Sequence, residues 1–193
     1  GGAVLSALGI AVLASRKKPA LPTAQRVALI GDSYAVGLGP ELAKLIPDFK
    51  FEGHVGTNTT QWATHAAACG SCGDWITKYK PDVVLVSLGV NDGHFSLKPP
   101  MPGVPTPRPY TGSYQTIVSA LHGVGAQVVW IEPPANVRTT ATDVPTVRTA
   151  IASLGVPTVP ATTVPLASDG LHPKSYSAWA QEVAAAIPPG KDG

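Results

Sequence analysis

Val27-Ala28-Leu29-Ile30-Gly31-Asp32-Ser33-Tyr34 is the stretch whose reading decides the fold. Four apolar residues in a row, without alternation, suit a strand buried on both faces, and the glycine ends the run. A serine just past the end of such a strand sits where open α/β sheets collect ligands, outside the carboxyl ends of their strands. A second apolar run, residues 83–88 (VVLVSL), ends in the same manner at Gly89-Val90-Asn91-Asp92. Far along the chain, Asp169-Gly170-Leu171-His172-Pro173 adds a carboxylate and an imidazole. Serine, histidine and aspartate are the three groups needed for a nucleophilic hydroxyl, its general base and the group that orients that base.

Around these motifs strands and helices alternate. The apolar pattern predicts strands over 26–30, 49–55, 83–88, 126–131 and 156–159. Helical spacing predicts helices over 38–46, 59–68, 74–80, 110–123, 144–154 and 175–187, with Thr111 or Ser113 as a cap for the fourth. Such alternation, with continuously apolar strands, describes a parallel sheet covered on both faces.

The blocks carry a family resemblance. Gly31-Asp32-Ser33, the stretch His54-Val55-Gly56-Thr57-Asn58-Thr59, Gly89-Val90-Asn91-Asp92 and Asp169-Gly170-Leu171-His172-Pro173 follow one another in the order of the SGNH hydrolases, also called the GDSL esterase/lipase family. Tyr34 stands where the family name has Leu. The resemblance covers residues 26–187, the expected domain. It implies a flavodoxin-like three-layer α/β/α sandwich with a five-stranded parallel sheet. It also implies ester hydrolysis through an acyl-enzyme on Ser33, and an oxyanion hole built from the backbone N–H of Ser33, the backbone N–H of Gly56 and the side-chain amide of Asn91. The family acts on acetylated sugars, lysophospholipids, simple esters and thioesters.

The residues agree with that chemistry. A serine hydroxyl needs a base within hydrogen-bond reach, and His172 is the candidate. Asp169, three residues earlier, is placed to bond the other ring nitrogen. Alone, Asp-x-x-His reads equally as a turn before a helix that opens at Pro173. An ordinary turn glycine accounts for Gly56 as well, and Gly53 competes for its role. Asn91 reads also as a turn former after a strand. Asp32 and Asp92 are expected to hold loops through backbone hydrogen bonds, and His54 and His94 to flank the cleft. Trp62, Trp75, Trp130 and Trp179 are scattered, as packing residues are. Nothing in the sequence points to a cofactor or a metal.

Composition narrows the partners. The 193 residues include 44% hydrophobic and 13% charged, with a formal net charge of +2. That balance excludes a disordered chain and gives no electrostatic footprint for nucleic acid. An ester substrate, either a small molecule or a polysaccharide, is the expected partner, with a short acyl group on a carbohydrate placed first and a lipid ester second.

Three segments leave questions open. Residues 3–14 are almost wholly apolar and run into Arg16-Lys17-Lys18. Residues 1–18 read as a membrane anchor, an uncleaved signal-like segment or a helix docked on the domain or a partner, as in a membrane complex or a virus particle. A structural or binding protein on an esterase fold is the reading of another class. Residues 19–25 follow as a linker, and 188–193 as a tail. If the segment spans, its basic flank puts the domain on the cytoplasmic side. Cys69 and Cys72, read as a local disulfide, argue instead for an oxidising compartment, the cell envelope or outside the cell. Residues 98–109 (KPPMPGVPTPRP) form a proline-rich insert just beyond the asparagine block, either a surface loop or a stiff wall of the cleft.

Overall fold

A computed structural model describes residues 25–64, 74–92, 110–137 and 144–189. The apolar N-terminal segment, Cys69, Cys72, His94 and the proline-rich insert lie outside the described residues.

Five strands make one sheet: β1 (Val27–Gly31), β2 (Lys50–Gly53), β3 (Val83–Ser87), β4 (Gln127–Ile131) and β5 (Thr158–Val159). All neighbours pair in parallel, in the order β2-β1-β3-β4-β5. Every residue of β1 and β3 is buried, as their unbroken apolar sequence requires. Alternate residues serve opposite faces. Ala28, Ile30, Val84, Val86 and Trp130 pack beneath α2 (Thr59–Ala63), α3 (Asp74–Tyr79), α4 (Tyr110–Gly123) and α5 (Val144–Ala152). Val27, Leu29, Leu85, Val129 and Ile131 pack against α1 (Ser33–Ala43) and α6 (Ser177–Ala185). The result is the expected three-layer α/β/α sandwich with a five-stranded parallel sheet.

Parallel strands joined by helices put the ends of β1, β2 and β3 on one edge of the sheet, and there the chain is tightly drawn together. Gly31 pairs with Ser87 across β1 and β3, and a Cβ on Gly31 would lie 2.1 Å from the Ser87 carbonyl oxygen. Only glycine allows this approach. The next N–H, that of Asp32, donates to the same oxygen at 3.1 Å.

Helix α1 begins five residues earlier than its apolar spacing suggested, at Ser33. Gly37, Gly39 and Pro40 give the segment poor intrinsic helicity. Packing explains why it is helical. The space that a Cβ of Gly37 would occupy holds the Tyr176 ring, and that of Gly39 holds the Phe51 ring. Asp32 also caps the helix, its Oδ1 accepting from Tyr34 N at 2.9 Å. Two smaller expectations change. Helix α4 starts at Tyr110, so Thr111 and Ser113 lie inside it, and buried Ser113 Oγ meets Thr60 Oγ1 at 3.2 Å. Pro173 does not open a helix. It bridges Leu166, and α6 starts at Ser177.

Two buried carboxylates tie the strand-end loops. Asp92 accepts from Thr59 N at 2.9 Å, Thr59 Oγ1 at 2.8 Å and the Tyr114 hydroxyl at 2.7 Å. It therefore joins the β3 loop to α2 and α4. Asp32 is fully buried and has fewer donors. Burial pushes its carboxyl up to about 8, with the charge of Asp92 adding to the shift and the Tyr34 N–H opposing it. Burial raises Asp92 as well, against its three hydrogen bonds.

Two outcomes follow from this edge. Gly31→Ala forces a methyl into the Ser87 carbonyl and is expected to cost about 1–3 kcal/mol, read as a lower midpoint in denaturant. Near pH 6 the folded chain holds a proton on Asp32 that the unfolded chain has released. Its contribution to stability is complete below about pH 4 and is lost as pH rises through about 8. Asp32→Asn keeps the acceptor for Tyr34 N and cannot titrate. Thermal melts from pH 4 to about 8 should fall less steeply for the variant than for the natural chain. Parallel curves would show that Asp32 is ionised in the folded state.

Candidate active site

Ser33 is the first residue of α1, so its N–H is among those that the helix itself leaves unbonded, at the positive end of the helix dipole. Its side chain meets the loop before α6. Ser33 Oγ lies 2.9 Å from His172 Nε2, and His172 Nδ1 lies 2.7 Å from Asp169 Oδ2. An ionised carboxylate only accepts, so Nδ1 carries the proton and Nε2 presents its lone pair to the serine hydroxyl. Three residues separated by up to 139 positions thus form one chain of hydrogen bonds.

The loop that carries His172 is closed on itself. Asp169 Oδ1 accepts from Leu171 N at 2.9 Å and His172 N at 3.0 Å, so one carboxylate holds both the backbone and the ring of its neighbour. These bonds, with the one from His172 Nδ1 first among them, hold the Asp169 carboxyl down at about 2. It stays charged across the working range although its side chain is 48% exposed. Ala167 N bonds His172 O at 2.7 Å, and Lys174 N bonds Pro165 O at 2.8 Å, which pins both ends of the loop.

Asn91 approaches from the end of β3. Its Nδ2 donates to the Thr57 carbonyl at 2.9 Å and stands 3.5 Å from Asp32 Oδ2. The Thr57 bond fixes which way the amide faces and joins the β3 loop to the β2 loop. Gly56 lies in that β2 loop, at the third position of a turn closed by Thr57 N on His54 O at 3.2 Å. Its φ of +77° is the conformation that this position of a type II turn demands. The turn alone accounts for a glycine there. Gly53 is committed elsewhere: it pairs with Gly31, and its Cβ would lie 2.7 Å from Val36 N.

The other residues singled out by sequence fall into place around this edge. His54 Nε2 meets Glu52 Oε1 at 2.8 Å, and Trp75 Nε1 donates to the same carboxylate. Trp62, Trp130 and Trp179 are buried in the two cores. Sequence reasoning did not single out Glu52, Thr57 or the Tyr34 hydroxyl, which donates to Leu171 O at 3.0 Å. The one available signal for the last was the departure at position 34 from the family's Leu.

No protein-family model matches the sequence, and no curated protein matches it. Solved structures do. A GDSL-like lipase from Bacteroides thetaiotaomicron superposes with a TM-score of 0.57 at 14% identity, over 84% of this chain and 87% of that one. An acetylxylan esterase from Geobacillus stearothermophilus, solved as a catalytic mutant, gives 0.54 at 14%, over 84% and 91%. The catalytic domain of peptidoglycan O-acetyltransferase A from Streptococcus pneumoniae, solved with a methylsulfonyl adduct, gives 0.56 at 18%, over 85% and 90%. The chain therefore has the α/β fold of the SGNH (GDSL-like) hydrolases.

Proposed function

We propose that this protein is a serine esterase of the SGNH type, with Ser33 as nucleophile, His172 as general base and Asp169 as the group that orients it. The observation that carries the reading is the unbroken bonding from Asp169 Oδ2 through the His172 ring to Ser33 Oγ, at 2.7 and 2.9 Å.

In this mechanism Ser33 Oγ attacks the ester carbonyl carbon while its proton passes to His172 Nε2. The imidazolium is stabilised by Asp169, which stays ionised. The carbonyl oxygen becomes an oxyanion, received by the Ser33 N–H, the Gly56 N–H and the side-chain amide of Asn91, which gives up its long 3.5 Å contact with Asp32 Oδ2 to do so. The oxyanion collapses, the bond to the leaving alcohol breaks, and His172 returns the proton to it. Water then repeats the sequence on the acyl-enzyme and releases the acid.

A short acyl group on a carbohydrate is the proposed substrate, and the cell envelope or the space outside the cell is the proposed site of action. Two of the similar structures are named for acetylated polysaccharides, xylan and peptidoglycan. A lipid ester is the second reading, supported by exposed apolar side chains near the nucleophile. Val36 is 40% exposed one helical turn beyond Ser33, and Val55 is 74% exposed beside Gly56.

A panel of p-nitrophenyl esters of rising chain length, run beside acetylated xylan and acetylated peptidoglycan, tests the class and the substrate together. Acetate release from a polymer with a preference for the shortest ester fits the first reading; preference for long chains fits the second. Ser33→Ala should abolish hydrolysis and leave the melting temperature close to that of the natural chain; turnover at the natural rate would remove Ser33 from the mechanism. Asn91→Ala should lower kcat by roughly 100- to 1000-fold with little change in KM, since an oxyanion donor acts on the transition state. A loss confined to KM would make Asn91 a substrate-binding residue instead.

A further inference from the structure

Tyr34 is the residue by which this chain departs from the GDSL motif, and the departure has a geometric counterpart. The side chain is 2% exposed. Its ring meets the His172 ring edge-on, with centroids 6.0 Å apart and planes at 78°, and the Trp179 ring at 5.4 Å and 85°. Trp179 in turn stacks on Tyr176, whose ring occupies the space left by Gly37. The Tyr34 phenol is thereby fixed between α1, α6 and the loop that carries the base.

Its hydroxyl bonds one particular peptide group. Tyr34 Oη donates to the Leu171 carbonyl at 3.0 Å, and the N–H of the same peptide, belonging to His172, donates to Asp169 Oδ1 at 3.0 Å. The other carboxylate oxygen accepts from His172 Nδ1 at 2.7 Å, and His172 Nε2 reaches Ser33 Oγ at 2.9 Å. Ser33 and Tyr34 are consecutive in the chain, so the path closes into a ring. A peptide whose carbonyl is hydrogen-bonded donates more strongly through its N–H, because successive hydrogen bonds polarise one another. Leucine at position 34 has no hydroxyl and leaves this path open.

We infer that Tyr34 is a positioning residue for the proposed triad: its hydroxyl, acting through the Leu171–His172 peptide, sets the orientation of Asp169 and His172 relative to Ser33. The inference rests on the esterase reading for its effect on rate, but the orientation itself has an independent signature. The Nδ1 proton of a histidine bonded to a carboxylate resonates far downfield, and loss of the signal in His172→Ala assigns it. The phenol stays a donor over the whole pH range of such work, because burial pushes its ionisation far above the ordinary tyrosine value.

Tyr34→Phe keeps the ring and removes only the hydroxyl. The assigned proton should move upfield and broaden. The kcat for p-nitrophenyl acetate, measured well below the melting temperature, should fall roughly threefold to tenfold, the worth of one hydrogen bond. KM should stay nearly constant. Tyr34→Leu, the family residue, should show at least the same displacement of the signal. An unmoved proton signal in Tyr34→Phe overturns the inference, whether or not the melting temperature falls, because a merely structural role predicts lower stability with the triad in place. If the natural chain turns over no ester, the esterase reading fails by itself and the proton signal alone decides whether Tyr34 positions the base.

Discussion

The approach of Gly31 to the Ser87 carbonyl is the constraint on which the rest of the site depends. A side chain at position 31 would meet that oxygen at 2.1 Å, so β1 and β3 run together to their ends without a wedge between them. Asp32 N then bonds the same carbonyl and turns the chain sharply into α1, which makes Ser33 the first helical residue. A serine there has its hydroxyl at the sheet edge and its N–H at a helix terminus. Because the sheet is parallel, the β2 and β3 loops emerge at the same edge, where Asn91 meets Thr57 and comes within 3.5 Å of Asp32, the residue before Ser33. Ser33, the Asn91 amide and the His172 ring are brought to one edge by strand packing.

Holding that edge together has an energetic cost. Two carboxylates are buried within it, and only Asp92 has a full set of donors. Asp32 is satisfied mainly by the Tyr34 N–H and favours its protonated form near neutral pH. Asp169 is the opposite case. It is exposed, three hydrogen bonds hold it ionised, and its charge lies against the His172 ring. Three aspartates near one serine thus have three environments. Two link loops, and the third is suited to orienting a base.

Much of this was legible in the sequence because its signals were local. The runs 27–30 and 83–88 read as buried strands from composition alone, and both are buried throughout β1 and β3. The serine, asparagine and histidine blocks are short and sit at strand or loop ends, so their proximity followed once the sheet was parallel. Less legible were features that depend on contacts between distant segments. The start of α1 was hidden because Gly37, Gly39 and Pro40 lower its intrinsic helicity, and rings from positions 176 and 51 make those small residues fit. The Thr57 carbonyl that orients Asn91 and the Tyr34 hydroxyl that reaches Leu171 leave no pattern in the chain. Gly56 was visible as a glycine, and its turn geometry accounts for that choice of residue.

The proposed triad requires that His172 activate the Ser33 hydroxyl above every other hydroxyl in the chain. Reaction with a fluorophosphonate, followed by mass spectrometry of the intact protein and of its peptides, tests it most directly. A single adduct on the peptide containing Ser33, absent when His172 is replaced by alanine, is the expected outcome. No adduct on the natural chain, or an adduct on Ser33 that forms equally fast without His172, would contradict it.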